Sequence, residues 1–268
     1  MELMSKTEIV NLDELWKMEC SYLNKFMNVS LPLGGLTKDD VTNLYLMVAC
    51  DYYDTHHNTS NIKIAEVGCW TGLSSLVLAL SAKKFNGTVI SIDWFKGSEN
   101  TNLDWAGDYF NVKKIFMNNI SKFTFGNCIT PMEATSIQAS EKFTNESLDV
   151  IFLDADHRYK NIKKDIDIWL PKLKKGGLLC GHDCEIILDK GIDTLYDITK
   201  DMDIIEVVHM GVCRAVTELG GKKVDSLENH TIKESISSGL WYYVKPLEEN
   251  KLKIEEDEKL DANDKRIL

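Results

Sequence analysis

Acids and histidines cluster at two points where apolar runs end. In "SLDVIFLDADHRY", Asp154, Asp156 and His157 follow an unbroken apolar stretch, and in "GGLLCGHD" His182 and Asp183 close another. Unpaired charge at a buried strand end is costly. These groups are therefore either neutralised by structural partners or turned into a cleft. If the two strands lie side by side, Asp154, His182 and Asp183 converge. Two carboxylates are what Mg²⁺ commonly takes from a protein, and such an ion would orient a substrate hydroxyl and lower its pKa. Histidine as a third ligand favours Mn²⁺ or Zn²⁺, or no metal at all. His157, three positions after Asp154, suits a general base for that hydroxyl. Structural readings stand beside these. Asp154 equally suits a bond to the next helix or a contact with a cofactor, His182 a satisfied structural histidine, and Asp156 a cap for a helix opening near Arg158.

A second constellation is "EVGCWTG". Gly68 and Gly72 permit a tight turn and a close backbone approach to a ligand, with helix N–H groups behind them. Its spacing is not the G-x-G-x-x-G of dinucleotide sites. The acid before it, Glu66, suits a ligand ammonium better than a pyrophosphate. Asp93 ends the next apolar run, where an acid can accept both hydroxyls of a ribose. Trp70 and Trp94 either border that place or pack. His209 is a lesser candidate for lining an acceptor pocket, and His56 and His57 lie in a polar loop too irregular for a metal site.

The elements that position these groups follow from periodicity. Residues 1–60 read as helical, with Leu12, Leu15, Trp16, Tyr22, Leu23 and Phe26 near helical spacing. After "LPLGG", Thr37 suits an N-cap with Asp40 at the third helical position. From residue 62 short apolar runs alternate with helical stretches. Strands are expected at 62–69, 88–94, 128–135, 148–155 and 176–183. The third is the weakest, because Pro131 suits an edge or a strand end. Ile162, Ile166, Trp169, Leu170 and Leu173 mark the buried face of the helix before the fifth strand, and Gly-Gly is expected to end that helix. "GLWYYVKP" reads as a further strand. Such alternation predicts a parallel sheet covered on both faces, with ligands at the carboxyl ends of its strands. The polar stretch 95–108 has the length of a lid. Residues 185–203 read as an insertion, and the charged tail 248–268 as disordered or a solvated helix. The division is a helical cap at 1–60, a catalytic domain at 61–247, and the tail.

Net charge is −11 and pI about 5.1, which argues against nucleic-acid and anionic-membrane partners. No apolar run reaches the roughly 20 residues of a membrane span, and the first residues lack a secretory pattern. Seven cysteines without a C-x-x-C pair suit reduced, buried thiols and a cytoplasmic protein. The aromatics of the N-terminal helices suit either a homo-oligomer interface or a cover for the sheet.

"AEVGCWTG" and "ISIDW" resemble the first two motifs of the class I S-adenosylmethionine-dependent methyltransferases, and "GLWYYVKP" resembles their antiparallel last strand. The resemblance spans roughly residues 60 to 247. It implies an α/β, Rossmann-like three-layer sandwich around a seven-stranded, mostly parallel sheet. It also implies that Glu66, Gly68, Thr71, Gly72, Asp93, Trp94, Glu133, Ala134, Thr135 and Asp154 hold S-adenosyl-L-methionine. In that scheme Gly68 and Gly72 line the methionine, Asp93 the ribose, and Glu133 to Ser136 the adenine. The D-A-D-H-x-Y and G-H-D segments resemble a subfamily related to metal-dependent O-methyltransferases of small molecules and macrolide sugars. From it follow His157 as base, Asp154 beside it in the catalytic role, and Asp154, His182 and Asp183 around Mg²⁺ or Mn²⁺. His182 stands where those relatives carry an acid. The implied activity is O-methylation of a small polar acceptor such as a sugar. The alternatives are a nicotinamide-dependent oxidoreductase, which Glu66 and the missing third glycine oppose, and a non-catalytic module that keeps the cofactor fold.

Overall fold

The structure is a computed structural model and describes residues 5–27, 36–52, 60–97, 111–188, 208–224 and 239–247. Helix α1 (Lys6–Met27) is followed by α2 (Lys38–Leu46), which continues into a π-helical turn (Met47–Tyr52). Then strands and helices alternate: β1 (Lys63–Val67), α3 (Leu73–Ala82), β2 (Thr88–Asp93), α4 (Val112–Ile120), β3 (Ile129–Glu133), α5 (Ser136–Ser140), β4 (Leu148–Leu153), α6 (Tyr159–Trp169) and β5 (Leu173–Gly181). Helix α7 (Met210–Leu219), the short β6 (Lys222–Lys223) and β7 (Trp241–Val244) complete it.

The seven strands run in the order β3-β2-β1-β4-β5-β7-β6. The first five pair in parallel, and β7 is antiparallel to both of its neighbours. Pro131 lies on β3, an edge strand, where its missing N–H breaks no ladder. Strand β4 is buried at every position, as a strand covered on both faces must be. Its alternate side chains point to opposite faces. Val150 and Phe152 join α1, α2, α3 and α4 in one apolar cluster, while Ile151 and Leu153 join α6 and α7 in the other. This is the expected three-layer sandwich. Leu12 and Leu15 of α1, with Val41, Leu44 and Tyr45 of α2, are buried in the first cluster, so these helices complete one of the two covering layers.

Two expectations shift. Strand β5 begins at Leu173 rather than at Gly176, and the Gly-Gly pair is no helix cap. Helix α6 ends at Trp169 because Pro171, in the 3₁₀ turn that follows, cannot supply the next helical N–H. The register of β4 against β5 jumps from Leu148↔Leu173 to Val150↔Leu178, so the glycines lie in a bulge inside the strand. Strand β6 supplies the seventh strand that the resemblance implied but that no stretch of the sequence had located. The lid at 95–108 (apart from 95–97), most of the insertion and the whole tail lie outside the described residues.

Candidate active site

The carboxyl edge of the sheet carries the functional groups. Gly68 follows β1 with φ +88, and a Cβ there would lie 2.0 Å from the backbone oxygen of Asp154. Its lack of a side chain is thus required first by the crossing of the β1 and β4 ends. A Cβ on Gly72 would meet the Phe116 ring at 3.0 Å, and Gly72 opens α3 without a side-chain cap. Asp93 braces this turn. Its carboxylate accepts N–H bonds from Cys69 (3.1 Å), Trp70 (2.9 Å) and Phe95 (2.7 Å). Trp70 and Phe95 hold positive φ, 44° and 59°, a conformation costing about 1–3 kcal/mol each unless the surroundings enforce it. Burial raises the Asp93 pKa against these bonds. The Thr71 carbonyl accepts the Asn119 side chain at 2.9 Å, and the Trp94 ring lies 5.9 Å from the Lys96 ammonium. Beside Asp93 in register is Glu133, exposed and paired with Lys113 at 2.6 Å. Ala134 N–H reaches the Asp93 carbonyl (3.0 Å), and Thr135 caps α5.

Glu66 does not face this cleft. It is fully buried, and its carboxyl accepts hydroxyl bonds from Ser74 (2.5 Å), Ser91 (2.7 Å) and Ser75. Burial lifts its pKa to about 7 despite those bonds. An acid in that position ties β1, β2 and α3 together; no surface of it is open to a ligand ammonium.

At the ends of β4 and β5 the second constellation assembles. His157 Nε2 stands 3.1 Å from Asp183 Oδ2 and 3.5 Å from Asp154 Oδ1. His182 Nδ1 lies 3.0 Å from Asp183 Oδ1, and its Nε2 3.2 Å from Asp40 Oδ2. His209 packs edge-on against His157, ring centroids 4.9 Å apart. Its Nδ1 is 2.6 Å from Glu185 Oε1, and its backbone N–H donates to Glu185 Oε2 at 3.0 Å. Burial works against the charge of His182, but Asp183, Asp40 and Asp154 override it and hold its pKa well above the usual value. Asp183 is held low despite burial by the three histidines around it. Its φ of 62° aims the carboxylate into the cluster. Asp156 serves the helix instead: it accepts the Arg158 N–H (3.0 Å) and the Asn161 side chain (2.8 Å) and pairs with the Arg158 guanidinium. Sequence reasoning missed Asp40 and Glu185. Asp40 showed only as a capping-box acid, and Glu185 had no signal beyond lying two residues after Asp183.

Distance alone would admit an ion. Ligand atoms of Asp154, His182 and Asp183 lie within 4.8 Å of one another, as do those of His157, Asp183 and His209. A metal takes a nitrogen lone pair, and both His182 nitrogens face carboxylates. His209 Nδ1 faces Glu185, and each Asp183 oxygen already has an imidazole partner. The Asp40 carboxylate on Nε2 is the kind of partner a metal-bound histidine keeps on its other nitrogen, and Nδ1 is turned to Asp183.

Sheet order, glycine turn and strand-end acids are those of the class I S-adenosylmethionine-dependent methyltransferase fold. Within it, residues 65–184 match the Methyltransf_24 family model, a methyltransferase domain. Similar solved structures include the O-methyltransferase from Bacillus cereus in complex with SAH, at 15% identity over 91% of this chain and 94% of that one, TM-score 0.55. TomG, an O-methyltransferase from Streptomyces achromogenes in complex with SAM, gives 13%, 87%, 90% and 0.56. The O-methyltransferase NovP gives 14%, 89%, 99% and 0.56. At these identities the likeness is one of fold. No curated protein sequence matches the chain.

Proposed function

We propose that the enzyme methylates a hydroxyl oxygen of a small polar acceptor, such as a sugar, with S-adenosyl-L-methionine as donor. The observation that carries this reading is the His157 imidazole between Asp154 and Asp183 at the carboxyl edge, with Asp154 against the Gly68 turn. In this scheme the turn at Gly68–Gly72 and Asp93 hold the methionine and ribose portions, and Glu133 to Thr135 border the adenine. His157 accepts the proton of the acceptor hydroxyl. The imidazolium so formed stays between two carboxylates, which stabilise it. The oxygen attacks the sulfonium methyl in line; the C–S bond breaks as the O–C bond forms, and the sulfur leaves neutral. The rest of the rate comes from positioning the two reactants. That the Bacillus cereus enzyme, TomG and NovP, similar in fold, are O-methyltransferases supports oxygen as the acceptor atom. Net charge of −11 supports a small molecule over nucleic acid as substrate. No step is assigned to a divalent ion.

The experiment is calorimetric titration with S-adenosylhomocysteine, with NAD as control, followed by transfer of labelled methyl from S-adenosyl-L-methionine to a panel of sugars and other hydroxylated small molecules. Binding of the homocysteine nucleoside alone, with label on oxygen, supports the reading. NAD binding, or label on nitrogen or carbon, removes it.

A further inference from the structure

We infer that Asp165 and Trp169 of α6 are positioning residues for the cofactor's base: together they hold the Ser136 hydroxyl, and so set the turn between β3 and α5 on which the adenine rests. The inference rests on the methyltransferase reading above, in which Glu133 to Thr135 border the adenine.

The buried face of α6 is apolar at Ile162, Ile166 and Trp169 but acidic at Asp165. Asp165 is 7% exposed, and burial pushes its pKa up to about 6. An acid inside an apolar stripe is costly unless a partner holds it. Its partner is the Ser136 hydroxyl, which donates to Asp165 Oδ1 at 2.5 Å. The Trp169 indole N–H donates to Ser136 Oγ at 2.9 Å. A serine hydroxyl has one proton and two lone pairs, so its proton and one lone pair are both committed to α6. Residues 165 and 169 lie one helical turn apart and share a face, which is why one oxygen can meet both.

The turn has little else to fix it. Among the described residues β3 pairs with β2 alone, and Ile129 is the one residue of the strand that is buried. Helix α5 has five residues, too few to be stable by itself. The Ala134 N–H reaches back to β2 at the Asp93 carbonyl, and Thr135 and Gln138 close a capping box within α5. Neither bond reaches α6; the Ser136 hydroxyl does. Trp169 also packs against Phe143, just past α5, with ring centroids 5.3 Å apart. Helix α6 therefore clasps α5 at both ends. A shift of Ser136 carries Glu133 to Thr135 with it, and hydrogen bonds to a base weaken steeply with distance and angle.

The test is calorimetric titration of the full chain with S-adenosylhomocysteine and with S-inosylhomocysteine, which carries oxygen in place of the amino group of the base. Wild type is expected to prefer the adenine compound. D165A removes the acceptor of the Ser136 hydroxyl. Its affinity for S-adenosylhomocysteine is expected to fall about tenfold, the scale of one hydrogen bond, with a smaller loss for the inosine compound, so that the preference shrinks. D165N keeps an oxygen for the hydroxyl and is expected to retain both affinity and preference. No preference in wild type, or a folded D165A that keeps the wild-type preference, overturns the inference, because a residue that only packs would weaken both ligands alike. If D165A does not fold, W169F, which removes the indole N–H and keeps a ring in the core, is read in its place with the same outcomes. A wild type that fails to bind S-adenosylhomocysteine removes the proposed function and this inference with it. A wild type that binds it with a preference unmoved by these variants removes the inference alone.

Discussion

Glu66 and His157 are both ionisable and sit about one strand apart, yet their surroundings give them opposite tasks. Glu66 has no exposed surface, and burial lifts its pKa from 4.5 to about 7. An acid raised in this way binds its proton more tightly in the folded state. Its contribution is fully present below pH 4.5 and is lost as pH rises through about 7. Glu66→Gln keeps a bonding partner for the serines but does not ionise. Relative to the parent, it is expected to gain about 3 kcal/mol of stability between about pH 4 and pH 8. Urea unfolding at the two pH values measures this, and a pH-independent difference would mean that Glu66 does not titrate on unfolding. His157 is reached by solvent and touches two carboxylates. His157→Ala is expected to leave S-adenosylhomocysteine affinity unchanged and to lower single-turnover methyl transfer about 10²–10⁴-fold. Lost affinity with intact turnover would instead make His157 a cofactor contact. The types and spacing of Asp154, His157, His182 and Asp183 were legible in the sequence. The partners were not. Asp40 meets His182 across 142 residues, and only the packing of α2 over the sheet sets that contact.

The glycines show how much of the element scale the sequence carried. Gly68 and Gly72 were legible as a turn, and the structure adds a second reason for them, since the Asp154 backbone and the Phe116 ring stand where a Cβ would go. Gly68→Ala would force a Cβ into the Asp154 carbonyl at φ +88. Overlap with backbone cannot be relieved by a rotamer, so a loss of at least about 4 kcal/mol is expected. Gly220 has a similar φ, +74, at the C-terminus of α7, with nothing within 4 Å of an added Cβ. Gly220→Ala is expected to cost only about 1 kcal/mol, the conformational part alone. Denaturation of the two variants separates steric from conformational loss; equal effects would refute the distinction. Strands β1, β2 and β4 were legible because strands covered on both faces are nearly continuous in apolar residues, and β7, of which only Trp241 is buried, from its aromatic run with Pro246 just after it. Strand β6 is two lysines at the sheet edge, held by pairing with β7 rather than by burial, so it had no hydrophobic signature. The start of β5 was obscured because Leu173 continues the apolar spacing of α6 although its backbone has already become a strand.

At the scale of the whole molecule, the N-terminal helices do two things at once. Leu12, Leu15, Leu44 and Tyr45 complete the apolar layer over one face of the sheet, and Asp40 extends that layer to the site. The matched domain stretch, 65–184, contains His182 and Asp183 but not Asp40, whose carboxylate fixes the far side of the ring. Folding of α2 and order in the site should therefore be energetically linked. Removing either partner leaves a buried charge without its counter-ion, which is costlier than removing both. Asp40→Asn and His182→Asn are thus each expected to destabilise the protein, and the double variant by less than the two losses added. A coupling of about 0.5–3 kcal/mol is the range for residues in one charged network. Tyr45, on the same helix and buried in the apolar cluster, supplies the control: Tyr45→Phe combined with His182→Asn should be additive. A double-mutant cycle by urea unfolding measures both pairs. Additivity for Asp40 with His182 would show that the helical layer merely covers the sheet, and that the site keeps its charge arrangement without it.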